Sequence, residues 1–156
     1  MIYPLPISTV TAAIKTLLVV TGVQVWDMSD LANTVLGRDC PILFPEVRNG
    51  FVNSWEIGPQ SVYGAEGQGV YDTKFVLEYT LAFAPVGADR SLYAVMPEMN
   101  DLIMAIVYGV TQHERLGGLV VYFHTVSIEG NGLVMDPDGN QFYGKTFHFQ
   151  IAEYIG

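Results

Sequence analysis

Thiol chemistry has almost nothing to work with in this chain. Cys40 is its one cysteine, so an intramolecular disulfide is impossible and a thiolate metal cluster cannot be built. Histidine is nearly as scarce: His113, His124 and His148 stand apart, none with a second histidine or a cysteine at metal-ligand spacing, which argues against a metal centre. Cations are few as well. Seven lysines and arginines face sixteen acids for a formal charge of -9, scattered from Lys15 to Lys145, so the basic stripe of a phosphate-gripping nucleic-acid binder is missing. The run Ile14 to Val25 is broken by Lys15, Thr16, Thr21 and Gln24, and no stretch approaches the roughly 20 apolar residues of a membrane span. The opening MIYPLPIST lacks the basic start and apolar core of a secretory signal. The expectation is a soluble chain made in a cytosol, with no membrane partner and no cofactor.

What the chain does have is core material. Half of its 156 residues are hydrophobic and 15% are charged, enough for a sizeable core in a single domain spanning 1–156. Ile7, Val10, Ile14, Leu17 and Leu18 keep helical spacing, which predicts a first helix from Ile7 to Thr21, capped at Ser8 or Thr9 and ended at Gly22. Val23 to Trp26 reads as a short strand, and Asp30, Leu31, Val35 and Leu36 fit a second helical turn. Cys40 to Pro45 is an apolar strand bracketed by prolines, a pattern that favours an edge or lead-in position. Phe51 to Ile57 reads as another strand.

From Lys74 to Pro85 the alternation is clean. Phe75, Leu77, Tyr79, Leu81 and Phe83 point one way, with Lys74, Glu78 and Thr80 the other. The apolar residues from Leu92 to Val110 then keep helical spacing for about five turns, with Pro97 expected to kink or restart the helix. Leu119 to Glu129 and Phe142 to Ile155 are the last strands, the second with Phe147, Phe149 and Ile151 on one face. Gly130-Asn131-Gly132 and Asp136-Pro137-Asp138-Gly139-Asn140 read as turns. This order predicts an α+β fold: an antiparallel or mixed sheet with the long helix and the N-terminal helix packed on one side.

Catalytic patterns are hard to find. Asp136, Asp138 and Asn140 alternate as a calcium loop begins, but Gln141 stands where its glycine is needed and Phe147 where its bidentate carboxylate is needed. Gly64, Gly67 and Gly69 are followed by no phosphate-gripping lysine. No Gly-x-Ser-x-Gly occurs, and Cys40 before Pro41 reads as a small buried hydrophobe. His124 and His148 lie in strands and read as surface or cross-strand structural residues, able to face each other on a sheet. The reading is therefore not an enzyme.

Two features ask for a protein partner. Residues from Gly58 to Asp72 form a glycine-rich excursion, an arm at about 58–73, with Val62, Tyr63, Val70 and Tyr71 among its glycines. Aromatics on such an arm suit a segment that orders on another surface. In addition, nine tyrosines and eight phenylalanines exceed what one small domain easily hides, which points to obligate assembly.

With these elements in order, the chain resembles the tail-terminator, or tail-completion, proteins of long-tailed bacteriophages. The resemblance rests on the helix Ile7 to Thr21, the proline-flanked segment Cys40 to Pro45, the excursion Gly58 to Asp72 leading into the strand Lys74 to Phe83, and the long helix Leu92 to Val110. It closes on Tyr143-Gly144-Lys145-Thr146-Phe147-His148-Phe149-Gln150-Ile151-Ala152-Glu153. It implies a virion protein of the tail and neck, a homo-oligomeric ring, usually a hexamer, that caps the tail-tube protein, ends its polymerisation and docks the head-tail connector. DNA would pass through the lumen without specific binding, which the negative charge suits. The residues singled out for contacts are Tyr63, Glu66, Tyr71 and Asp72 on the arm, then Ile2 and Tyr3, then Asp136 and Asp138. The alternatives are another connector (stopper or adaptor), a tail-tube subunit, or, from another class, a small-molecule binding domain or enzyme built around His124, His148 and carboxylates in one concavity.

Overall fold

A computed structural model describes residues 7–35, 37–46, 52–59, 71–87, 90–113 and 122–155. The fold is α+β, a mixed sheet with two helices. Helix α1, Ile7–Leu17, presents Val10, Thr11 and Ile14 inward. It stops four residues short of the expected Thr21, and Ser8 and Thr9 lie within it rather than capping it. The chain turns at Gly22, whose φ of 88° is a left-handed conformation that glycine adopts without a Cβ clash.

Strand β1, Gln24–Val25, is followed by two short 3-10 helices, Met28–Ala32 and Gly37–Asp39. The first is held by a reciprocal cap in which Asp27 accepts from the backbone of Ser29 and Asp30, and Asp30 accepts from the backbone of Asp27. Strand β2, Ile42–Pro45, follows the cis Cys40–Pro41 bond. The proline-bracketed segment has Pro41 at its lead-in and is covered on its outer side by β1 at Ile42 and Leu43 alone. All four residues are buried, with parallel β1 on one side and antiparallel strand β4, Tyr71–Pro85, on the other.

Strand β3, Val52–Pro59, pairs with the same margin of β4 further along, so β2 and β3 act as one long strand interrupted after Glu46. Because Gly58 pairs with Asp72 and Pro59 with Tyr71, the two ends of the expected arm are strand, and its middle, 60–70, lies outside the described residues. Helix α2, Leu92–Gln112, runs as one element through Pro97. There is no restart there: the missing donor would have met the carbonyl of Tyr93, on the solvent side of the first turns.

Strands β5, Tyr122–Glu129, and β6, Leu133–Met135, pair with successive parts of β7, Gln141–Ile155. The sheet order is β1-β2-β4-β7-β5, with β3 on β4 and β6 on β7. β4 and β7, each 15 residues, form its antiparallel spine. Both helices cover the same face. Val10, Ile14 and Leu18 from the first helical segment and Met99, Ile103, Ile106 and Val110 from α2 pack on Phe75, Leu77, Tyr79, Leu81, Phe147, Phe149 and Ile151. This alternation was legible in the sequence, and its cause is simple: successive strand side chains point to opposite faces. Tyr79 lies edge-on to Phe149 at 5.2 Å between ring centroids, and burial pushes its hydroxyl pKa upward.

Candidate functional site

The other face of the sheet carries the polar chemistry. Its end is closed by a small cluster of Trp26, Val35, Ile42, Phe44, Ala82 and Phe142. Beyond that cluster two cross-strand rows bring ionisable side chains together. Glu78 pairs with His148, and His148 with Ser127; Thr80 pairs with Thr146, and Thr146 with Glu129. Glu46 continues the first row, its N–H donating to the Glu78 carbonyl at 2.8 Å.

Burial makes this face unusual. Glu46 is 7% exposed and Glu78 5%, positions at which carboxylates require partners. The Thr80 hydroxyl donates to Glu46 Oε2 at 2.8 Å, and His148 Nε2 lies 3.0 Å from Glu78 Oε1. His148 Nδ1 stands 3.9 Å from the exposed Glu129 carboxylate. An open groove of about 440 Å³ lies alongside, lined by Glu46, Thr80, Asn131, Leu133, Met135 and Gln141 among others. Such an arrangement can exchange a proton between imidazole and carboxylate, or hold a cationic group. Among the described residues no three His, Cys, Asp or Glu side chains are placed to share a metal ion.

Sequence reasoning put Glu78 and Thr80 on the face opposite the apolar set, where they are, but did not see the cluster they form there. The usable signal was two polar residues at alternate positions in one long strand, facing Thr146 and His148 in the other. His124 and His148 are not partners in the ladder. His148 is opposite Ser127, and His124 falls at a bulge between Phe123 and Thr125.

The contact residues inferred from the sequence scatter. Ile2, Tyr3, Tyr63 and Glu66 lie outside the described residues. Tyr71 and Asp72 belong to the backbone ladder of β4, paired with Pro59 and Gly58 on one side and Ile155 and Tyr154 on the other. Asp136 is fully buried, and its carboxylate is occupied within its own turn: Oδ1 accepts from the Asn140 N–H at 2.7 Å and Oδ2 from the Asn140 side-chain amide at 3.0 Å. It is therefore a turn former, as Asp at this position usually is, while Asp138 beside it is exposed. Gly139, with φ at 89°, completes that turn.

A second surface lies along α2. Tyr93 is 90% exposed and Tyr108 67%, with Met104 between them and Val19 also exposed. Gly109 approaches Leu18 and Val20 closely, its absent Cβ leaving room for both, so the Val19 segment adjoins the C-terminal end of this stripe. Cys40 is partly buried, and its thiol pKa is pushed up to about 11 by burial and then by neighbouring Asp39. It remains a protonated thiol at neutral pH and is a poor nucleophile. The sequence matches no protein-family model and no curated protein.

Proposed function

We propose that this chain is a structural virion protein of the tail-terminator type. It assembles into a ring, a hexamer by the resemblance, that caps the tail tube, stops its growth and offers its other face to the head-tail connector. The observation that carries this reading is the apolar stripe of Tyr93, Met104 and Tyr108 on α2, extended by Val19. Large aromatics held in water on a rigid helix suit a protein-binding surface. A head-to-tail ring has two unlike faces, so one can match a tube end while the other refuses a further tube subunit. The work is mechanical and needs no catalysis, and DNA would cross the bore without specific contacts.

The test is the solution mass by light scattering after size exclusion, across concentration and salt. A discrete ring supports a terminator. Open-ended filaments favour a tube subunit instead, and a concentration-independent monomer that ignores tail tubes removes the assembly reading. A second reading, a small-molecule binding domain, is favoured by one observation: the buried Glu46 and Thr80 line the groove, with buried Glu78 and half-buried His148 on the same face of the sheet. Ligand-induced shifts of the His148 ring resonances in a small-molecule screen would support it.

A further inference from the structure

Helix α2 turns Val95, Met99, Ile103, Ile106 and Val110 into the molecule. At 3.6 residues per turn, Tyr93, Pro97, Asn100, Met104, Tyr108 and Thr111 form a nearly straight row on the far side, and all six are exposed. Solvent faces of helices ordinarily carry charge. This row carries none. The charged residues of α2 are Glu98 and Asp101, both off the row, and Glu98 is engaged by Arg90 at 3.1 Å.

The large side chains of the row are spaced alike in both directions. At a rise of about 1.5 Å per residue, Pro97 and Met104 lie about 5 Å on either side of a point between Asn100 and Asp101, and Tyr93 and Tyr108 about 11 Å. If a second α2 is laid antiparallel on the first with that point on a two-fold axis, Tyr93 of each copy meets Tyr108 of the other, and Pro97 meets Met104. This is the self-complementary form of a two-fold contact, in which one residue meets another and is met by it in return. The antiparallel direction also sets the two helix dipoles in opposition, which a parallel pair would not.

The area is adequate for a reversible dimer. Tyr93 is 90% exposed, Tyr108 67% and Met104 64%, and an aromatic side chain buries about 150–250 Å². These three residues would remove about 400 Å² per copy. With Pro97, Asn100 and Thr111 added, the pair reaches the roughly 1,000 Å² that marks a specific contact. An uncharged row offers little with which to select a basic or acidic partner, and it matches itself in both spacing and residue type.

We infer that α2 pairs with α2 of a second copy across a two-fold axis between Asn100 and Asp101. The inference goes beyond the ring reading and does not need it. In the free protein the pairing covers the aromatics that the terminator reading offers to a partner, so a tube end would have to displace it. Each copy carries a formal charge of -9, and the axis brings Asp101 near its own counterpart. Added salt therefore tightens the dimer by screening, the opposite of its effect on a complex with a basic protein.

The test is sedimentation equilibrium of the whole chain at low and high salt. A dimer with a dissociation constant of about 1–100 μM is expected at this interface size, stronger at high salt and stronger again in Asp101→Asn. Tyr108→Glu should weaken it by about tenfold or more, with Tyr93→Glu as a second variant; both side chains stand in solvent, so circular dichroism should not change. Disulfide trapping in a Cys40→Ser background reads the direction. Pro97→Cys with Met104→Cys should link two chains readily, whereas Pro97→Cys alone, its two copies about 10 Å apart along the helices, should link about tenfold less. A monomer at every concentration, a dimer indifferent to both glutamates, or a Pro97→Cys chain that links to itself as readily overturns this contact. A discrete ring that persists in Tyr108→Glu while the dimer contact fails leaves the terminator reading standing. A chain that forms the trapped dimer and nothing larger, even on tail tubes, upholds the contact and removes the ring.

Discussion

The two faces of the sheet are built from the same two strands and differ in almost every physical respect. Under the helices, β4 and β7 present Phe75, Leu77, Tyr79, Leu81, Phe147, Phe149 and Ile151 to a continuous apolar core. One residue over, the same strands present Glu78, Thr80, Thr146 and His148. The first face is held by apolar area removed from water, which is tolerant of detail and large in sum. The second is held by matched hydrogen bonds among groups that are expensive to bury, so its stability depends on each partner being present. The contrast shows how a strand of fixed period can carry a folding core on one side and a specific polar constellation on the other.

The sharpest way to break the helix-covered face is Phe149→Ala. The ring is 1% exposed and packs against Tyr79 and Phe147, so its removal should cost about 3–5 kcal/mol in denaturant unfolding. The open face should respond differently. Glu46→Leu strands the buried Thr80 hydroxyl and should cost about 1–3 kcal/mol, whereas adding Thr80→Val should recover part of the loss. A double-mutant cycle measures that coupling, and a purely additive result would mean that the Thr80–Glu46 bond contributes little. Asp136→Ala, which deletes both carboxylate acceptors of the β6-to-β7 turn, should lower stability by about 1–2 kcal/mol.

The smallest effect concerns Cys40. Its folded pKa near 11 exceeds its ordinary value of 9.0, so the unfolded thiol ionises first on raising the pH. Stability from this group is complete below pH 9.0 and declines as pH rises toward about 11. Iodoacetamide labelling of the native protein should accordingly be slow at pH 8 and accelerate with an apparent pKa near 11, whereas labelling that saturates near the ordinary value would show that burial does not govern the thiol.

The helix-covered face was legible because its periodicities are local. Residues two apart in Lys74 to Pro85 and three or four apart in Leu92 to Val110 carry the pattern without knowledge of their neighbours. The open face was not legible, because whether Glu78 meets solvent or His148 depends on a partner 70 residues away. The edge position of Cys40 to Pro45 was altered for a related reason, β1 covering Ile42 and Leu43. Flanking prolines describe what the segment's own backbone can donate, and the two-residue β1 that covers it lies elsewhere in the chain. The arm was legible as a glycine-rich interval, but its ends were set by the β3–β4 register, which no local pattern encodes.

The long β4–β7 ladder also sets how the molecule would carry load. Its paired positions run from Tyr71 opposite Ile155 to Pro85 opposite Phe142, a span of about 50 Å at the usual strand rise. A pull along the strands would strain the transverse hydrogen bonds of this ladder in parallel, so rupture would require many of them to yield together. A pull across the strands would open them one after another, like a zip. The chain is therefore mechanically anisotropic, stiff along its spine and weak across it, and the direction of its hardest axis is written in the register of two strands.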